Sequence, residues 1–141
     1  KILEMLEKNC KLSTREISEK TGIPITTVHN RIRKMEKEKI IRAYRAILDK
    51  KKLGKNIQAY ILITVSYGPK FNQEELAKKI YTMPEVEECC ILTGTSDIII
   101  RVATKDVDDL NKFIVHQLRN IKGVENTNTA IVLRDISQMG G

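Results

Sequence analysis

Histidine and cysteine are scarce in this chain of 141 residues, with two of the first and three of the second. Cys10, Cys89 and Cys90 are odd in number, two of them adjacent, and no CxxC pair occurs. That pattern excludes a disulfide framework and points to a reducing, cytoplasmic compartment. Neighbouring residues on a strand face opposite ways, so Cys89 and Cys90 cannot chelate one metal together. His116 falls opposite the apolar stripe of its helix and reads as solvated. No metal or cofactor is therefore expected. No run approaches the roughly 18 apolar residues of a membrane helix, and no signal peptide is visible. Phosphate-loop and serine-elbow motifs are missing too. The acid pairs Glu87-Glu88 and Asp108-Asp109 read as surface charge. The expectation is a protein that is not an enzyme. Lys1 already lies inside a helical pattern, so a few residues are expected upstream.

What is present is positive charge, unevenly spread. Residues 1–52 hold 15 Lys and Arg against 7 Asp and Glu, a net of +8. Residues 53–141 hold 10 against 11, a net of −1. A basic first third joined to a near-neutral remainder suits a polyanion reader fused to something else. A solvated lysine-rich surface is the plainer alternative.

The basic third has helical punctuation. Ile2, Leu3 and Leu6 form a short stripe ending near Asn9. Ser13-Thr14-Arg15-Glu16 has the spacing of a capping box, in which Ser13 and Glu16 satisfy each other's backbone donors. A helix from Thr14 to about Lys20 turns Ile17 inward, and Gly22 suits a left-handed turn. A second helix is expected from Pro24 or Ile25 to Lys37, with proline tolerated in the first turn. Its inner stripe is Ile25, Val28, Ile32 and Met35. At about 100° per residue, Thr26, Asn30, Arg33 and Lys37 fall on the opposite face, flanked by Thr27 and Lys34 on one side and His29 on the other. Short polar groups come first and cations follow, the order that a major-groove recognition helix needs. Thr14, Arg15 and Arg31 complete the expected DNA-facing set. Ile40 to Leu48 reads as extended, a wing or an exit strand.

The remainder alternates strands and helices. Ile57, Ala59, Ile61, Ile63 and Val65 line one face of a strand. Tyr60 and Leu62 make its other face partly apolar, which calls for a cover such as a partner subunit. Asn72 opens a helix with Leu76, Ala77, Ile80 and Met83 inside, stopped by Pro84. Strands follow over Val86 to Thr93 and Asp97 to Ala103, separated by a tight turn. A helix from about Asp106 carries Val107, Leu110, Ile114, Leu118 and Ile121 in register, and Gly123 closes it. Val124 to Leu133 is the last strand. The predicted fold is α+β: an N-terminal winged helix-turn-helix over 1–48, a linker over 49–56, and a C-terminal βαββαβ ferredoxin-like sandwich over 57–137.

From Ile2 to Leu133 the chain resembles the Lrp/AsnC, or feast/famine, transcription regulators. The residues that carry the likeness are Glu16-Ile17, Thr21-Gly22-Ile23, Thr26, Val28, Arg31-Ile32, Met35-Glu36, Ile40-Ile41, Tyr44, Ala46, Leu48-Asp49 and Leu53-Gly54. Two departures stand out: Pro24 where the family usually has a Ser cap, and Lys39 where it usually has Gly. The resemblance implies a sequence-specific regulator that binds double-stranded DNA as a homodimer assembling into tetramers or octamers. It also implies that the Thr93 to Asp97 turn borders a pocket for an amino acid or similar small-molecule effector. The residue types suit that role. Gly94 admits close approach, exposed N–H groups near Thr95 and Ser96 suit a carboxylate, Asp97 suits an ammonium, and Thr127 and Thr129 could face the same region. The same residues also make an ordinary hairpin turn. Two other readings are a siroheme-decarboxylase-like enzyme of the same architecture and an amino-acid sensor without DNA binding. The positive charge on the second helix and the scarcity of histidine weigh against the first, and the +8 segment weighs against the second.

Overall fold

The computed structural model describes residues 1–138. The chain divides into two compact units, Lys1–Ile47 and the residues from Leu48 onward.

The first unit is three helices, α1 (Ile2–Lys8), α2 (Thr14–Thr21) and α3 (Ile25–Lys37). Ile2, Leu6, Ile17 and Val28 are buried at its centre, with Leu12, Ile23, Ile32 and Met35 packed around them. Ile25, expected inside, is 45% exposed. It is the first residue of α3, and the stripe closes over the core only from Val28 onward. Beyond α3, residues 42–48 run on without an assigned strand.

The end of α3 is informative. Lys39 has φ 62, the only positive φ outside glycine among the described residues. Lys39 N–H donates to the Glu36 carbonyl at 3.1 Å and Ile40 N–H to the Met35 carbonyl at 2.9 Å. These are the two bonds of a Schellman ending, normally built on glycine. Lysine fills a left-handed position here without changing where the helix stops.

The second unit opens with a short 3-10 turn (Lys51–Leu53) and continues β1 (Ile57–Val65), α4 (Gln73–Tyr81), β2 (Val86–Ile91), β3 (Ile98–Thr104), α5 (Val107–Lys112) and β4 (Val124–Ile131). Its four strands form one antiparallel sheet in the order β2-β3-β1-β4. The alternation along β1 does what the sequence predicts: Ala59, Ile61, Ile63 and Val65 are buried. They pack with Ile98, Ile100 and Val102 of β3 against Leu76, Ala77 and Ile80 of α4. β2 and β4 end two residues earlier than expected, at Ile91 and Ile131, and Leu133 is 93% exposed. α4 stops at Tyr81, before Met83 and Pro84.

The largest departure is in the second helix of this unit. After Lys112 it widens into a π-helical stretch, Phe113–Leu118. The i→i+5 bonding shifts the phase of the apolar face. Phe113 is buried beside Leu110, Ile114 and Leu118; it is absent from the expected stripe although it lies three residues after Leu110, on the same helical face, while Val107, expected inside, is 54% exposed.

The sheet face away from the helices carries Tyr60, Leu62, Ile99 and Arg101, all half-buried. Arg101 Nη1 donates to Tyr60 Oη at 2.7 Å, and Nη2 donates to Gln58 Oε1 at 2.5 Å and Asp135 Oδ2 at 3.2 Å. Lys50 closes the row through Glu87 at 2.7 Å.

Candidate nucleic-acid interface and effector hairpin

The helix-turn-helix is held by short polar side chains. Ser13 Oγ accepts from Glu16 N–H at 3.1 Å, and Glu16 Oε2 accepts from Ser13 N–H at 3.0 Å, so the capping box is complete. At the other end of α2, Thr21 Oγ1 donates to the Ile17 carbonyl at 2.7 Å and accepts from Ile23 N–H at 3.3 Å. Ser18 Oγ donates to the Ile23 carbonyl at 2.5 Å. Gly22, at φ 75, makes the turn between them. These bonds fix the start of α3 although Pro24 gives it no side-chain cap. The first N–H groups of α3 therefore have no side-chain acceptor, a state that suits an anion.

Val28 is fully buried under α3. Thr26, Asn30, Arg33 and Lys37, on the opposite side, are exposed, as are Arg15, His29, Arg31 and Lys34. Thr14 and Thr27 are half-buried. Arg31 and Lys34 stand apart from the central face. They line a shallow cleft of about 360 Å³ with Ile2, Leu3, Ile23 and Met35. Thr26, Asn30, Arg33 and Lys37 look outward, opposite Val28.

In the second unit, Gly94 has φ 115 at the tip of the β2–β3 hairpin. Gly94 and Thr95 are exposed and Ser96 and Asp97 half-buried. Asp97 is more tied down than a free ammonium acceptor would be. Its Oδ2 accepts from Val65 N–H at 2.9 Å and its Oδ1 from Tyr67 Oη at 2.9 Å. Its carbonyl accepts from Gln73 Nε2 at 3.1 Å, and its N–H donates to the Ile63 carbonyl at 2.9 Å. The carboxylate holds the hairpin to the end of β1 and raises the Tyr67 phenol above its ordinary value, through that hydrogen bond first, with burial and the negative charge adding to it. Thr129 is not brought to this hairpin. It lies on β4 opposite Ile61, with β1 between it and β3. Thr127, on the same strand, accepts from Arg119 Nε at 3.2 Å. Tyr67 and Gln73 were not foreseen as partners of Asp97, because contacts across 24 to 30 residues leave no local spacing to read.

Beside the hairpin, the 66–72 loop, α4 and the Lys122-Gly123 turn border an open pocket of about 680 Å³. Its walls include Tyr67 and Phe71, whose rings meet edge to face at 5.6 Å. No cluster of three metal-ligating side chains occurs among the described residues, and no helix there is long and apolar enough to cross a membrane.

Two family models match this chain. The Lrp/AsnC ligand binding domain matches residues 58–141 and a winged helix-turn-helix DNA-binding domain matches residues 1–42. The HTH-type transcriptional regulator FL11 of Pyrococcus furiosus is 38% identical over 134 residues, 95% of this chain and 86% of that protein. Its counterpart from Pyrococcus horikoshii is 37% identical over the same shares. Among solved structures, a transcriptional regulator–L-Met complex from Neisseria meningitidis superposes with a TM-score of 0.88 at 27% identity, covering 96% of this chain and 87% of that one. AsnC of E. coli gives 0.83 at 27% identity, covering 96% and 89%.

Proposed function

The chain belongs to the Lrp/AsnC family of transcriptional regulators, and on that premise we propose how it reads DNA and responds to a ligand. The observation that carries the reading is α3, buried through Val28 on one side and presenting Thr26, Asn30, Arg33 and Lys37 on the other. Set in the major groove, Asn30 pairs with adenine and Arg33 with guanine, while Thr26 and Thr27 contact neighbouring edges. Lys34, Lys37, Arg31, His29, Arg15 and Thr14 hold phosphates, and the uncapped start of α3 takes another. The four Lys and Arg contacts among these give a log K against log salt slope of roughly −4 per DNA-binding unit.

The unit over 1–48 binds too few base pairs to be specific alone. A homodimer formed through the Tyr60, Leu62 and Ile99 sheet face places two recognition helices in grooves about 34 Å apart. The linker is residues 49–56, and the 57–137 domain carries the dimer contacts and further assembly to tetramers or octamers. The protein works in the cytoplasm, which suits its free thiols. An amino acid bound at the Gly94 to Asp97 hairpin modulates it by favouring one assembly state. The L-Met complex of the Neisseria relative supports that choice of ligand class.

Two substitutions separate base reading from phosphate binding. Asn30→Ala relaxes preference at one base position at a cost of about 1–3 kcal/mol, while Lys37→Ala weakens all sequences alike and lowers the salt slope by about 1. Equal loss on every sequence for both variants, measured by footprinting, would remove these roles. For the effector, calorimetry and size exclusion with each amino acid decide: no heat and an unchanged elution profile across the set sink it.

A further inference from the structure

We propose that the cavity under the 66–72 loop is a second small-molecule site, separate from the hairpin, for an apolar carboxylate that lacks an α-amino group. At about 680 Å³ it has the size of a small-molecule pocket. It is an open surface pocket, bordered by the 66–72 loop, α4 and the Lys122-Gly123 turn. Glu75, Leu76 and Lys79 lie on one side of α4, three and four residues apart, with its N-cap Asn72 at the end. The loop is folded on itself, with Phe71 N–H on the Gly68 carbonyl at 3.0 Å, and is tied down by Ser66 N–H on the Gly123 carbonyl at 2.9 Å. Gly123 has φ 104, and a Cβ there would lie 2.9 Å from the Phe71 ring. The ring is therefore seated against bare backbone.

The lining decides the ligand class. Tyr67, Phe71, Pro69 and Leu76 offer an apolar wall, while Lys70, Lys79 and Lys122 bring three positive charges against the one carboxylate of Glu75. None of the three lysines has a carboxylate within 4.0 Å among the described residues. Three ammonium groups favour an anion and disfavour a second cation, so an acid is preferred to the matching zwitterionic amino acid. An apolar body fills the aromatic wall, which bare phosphate cannot do. The cavity also adjoins the hairpin clip: Tyr67 lines it and donates to Asp97. An occupant is thus felt at the hairpin without touching Gly94 to Asp97.

The test uses 3-phenylpropanoate, L-phenylalanine and inorganic phosphate as probes, with the full chain and NMR of the Tyr67 and Phe71 rings as the readout. 3-Phenylpropanoate shifts both rings and saturates, and L-phenylalanine, which differs only by its ammonium, binds there at least about tenfold more weakly. The Lys79→Gln, Lys122→Gln double variant, altered only at exposed positions, loses about tenfold in affinity for the acid. Thr95→Ala, at the exposed hairpin tip, leaves this affinity unchanged, so failure of the hairpin as effector site and failure of the cavity are read separately. No ring shift at about 10 mM acid, equal affinity for the amino acid or phosphate, or indifference to the lysine substitutions would each overturn the site.

Discussion

The two units solve the same folding problem on different scales. The first closes its core on four buried residues, Ile2, Leu6, Ile17 and Val28, and turns a basic helix face outward. The second packs a core of fifteen buried residues, among the described residues, between a sheet and two helices and keeps its candidate chemistry in loops. Small domains have little apolar surface to spare, since surface grows relative to volume as size falls. One side chain therefore weighs far more in the first unit. The difference also sets where function is written. In the first unit the exposed basic face lies on a single helix of thirteen residues. In the second, a site is assembled from residues that are distant in sequence.

The sharpest way to break the comparison is to remove one core side chain from each unit. Ile17 and Ile61 are both fully buried, and truncation to alanine costs about 2–5 kcal/mol at such sites. A core of the first unit's size rarely supplies more than about 3–5 kcal/mol. Ile17→Ala should therefore unfold the first unit and abolish DNA binding, with the amide spectrum of the second unit preserved. Ile61→Ala should lower the melting temperature while the second unit stays folded. Simultaneous loss of both amide spectra in Ile17→Ala would show that the units do not stand independently.

A smaller effect lies in the hairpin clip. Asp97→Ala removes the acceptor of Val65 N–H and strands that donor, at about 1–3 kcal/mol. Amide exchange should rise at Val65 and across the 92–98 hairpin, with the N-terminal unit untouched. Exchange unchanged at Val65 would mean that the bond to Asp97 does not hold the strand end.

These two regions also show how far the amino-acid pattern could be read. The capping box of Ser13 and Glu16, the left-handed Gly22 and the alternation along β1 are local, so spacing alone reveals them. The βαββαβ order follows from the same periodicities. Phe113 is legible too, three residues after Leu110 on the same helical face, although the expected stripe omits it; the π-helical stretch that starts there carries no sequence signature. Ile25 and Val107 were placed inside because periodicity does not say where along a helix the core begins. Thr129 was grouped with the hairpin because residue type suggests chemistry but not strand order. The partners of Asp97 are set by tertiary structure alone.

Lys39 offers a test in the opposite direction, toward stability. Lysine at φ 62 keeps a Cβ in a left-handed position that glycine occupies without strain. Lys39→Gly should stabilise the first unit by about 1 kcal/mol, with both Schellman bonds retained. Because that unit has the smaller core, the gain should be visible in its own transition and absent from that of the second. A loss of stability would mean that the side chain of Lys39 contributes more than its backbone costs.

The smallest expected effect is electrostatic and belongs to Tyr67. Its phenol is 69% exposed, yet its hydrogen bond to Asp97 raises its pKa above 10.0, with partial desolvation and the nearby negative charge adding to the shift. A raised folded pKa means that the protonated form is the one the fold prefers. Its contribution is whole below about pH 10 and is lost as pH climbs through the folded value, where a phenolate would face the Asp97 carboxylate. Asp97→Asn keeps one oxygen for Val65 N–H but turns its amide NH2 toward Tyr67, removing both the acceptor and the charge there, so the Tyr67 titration should fall back toward 10.0 in that variant. NMR of the tyrosine ring against pH measures it directly. An identical titration in both proteins would mean that the hydrogen bond to Asp97 is not held in solution, and the lysine-lined pocket would lose that link to the hairpin.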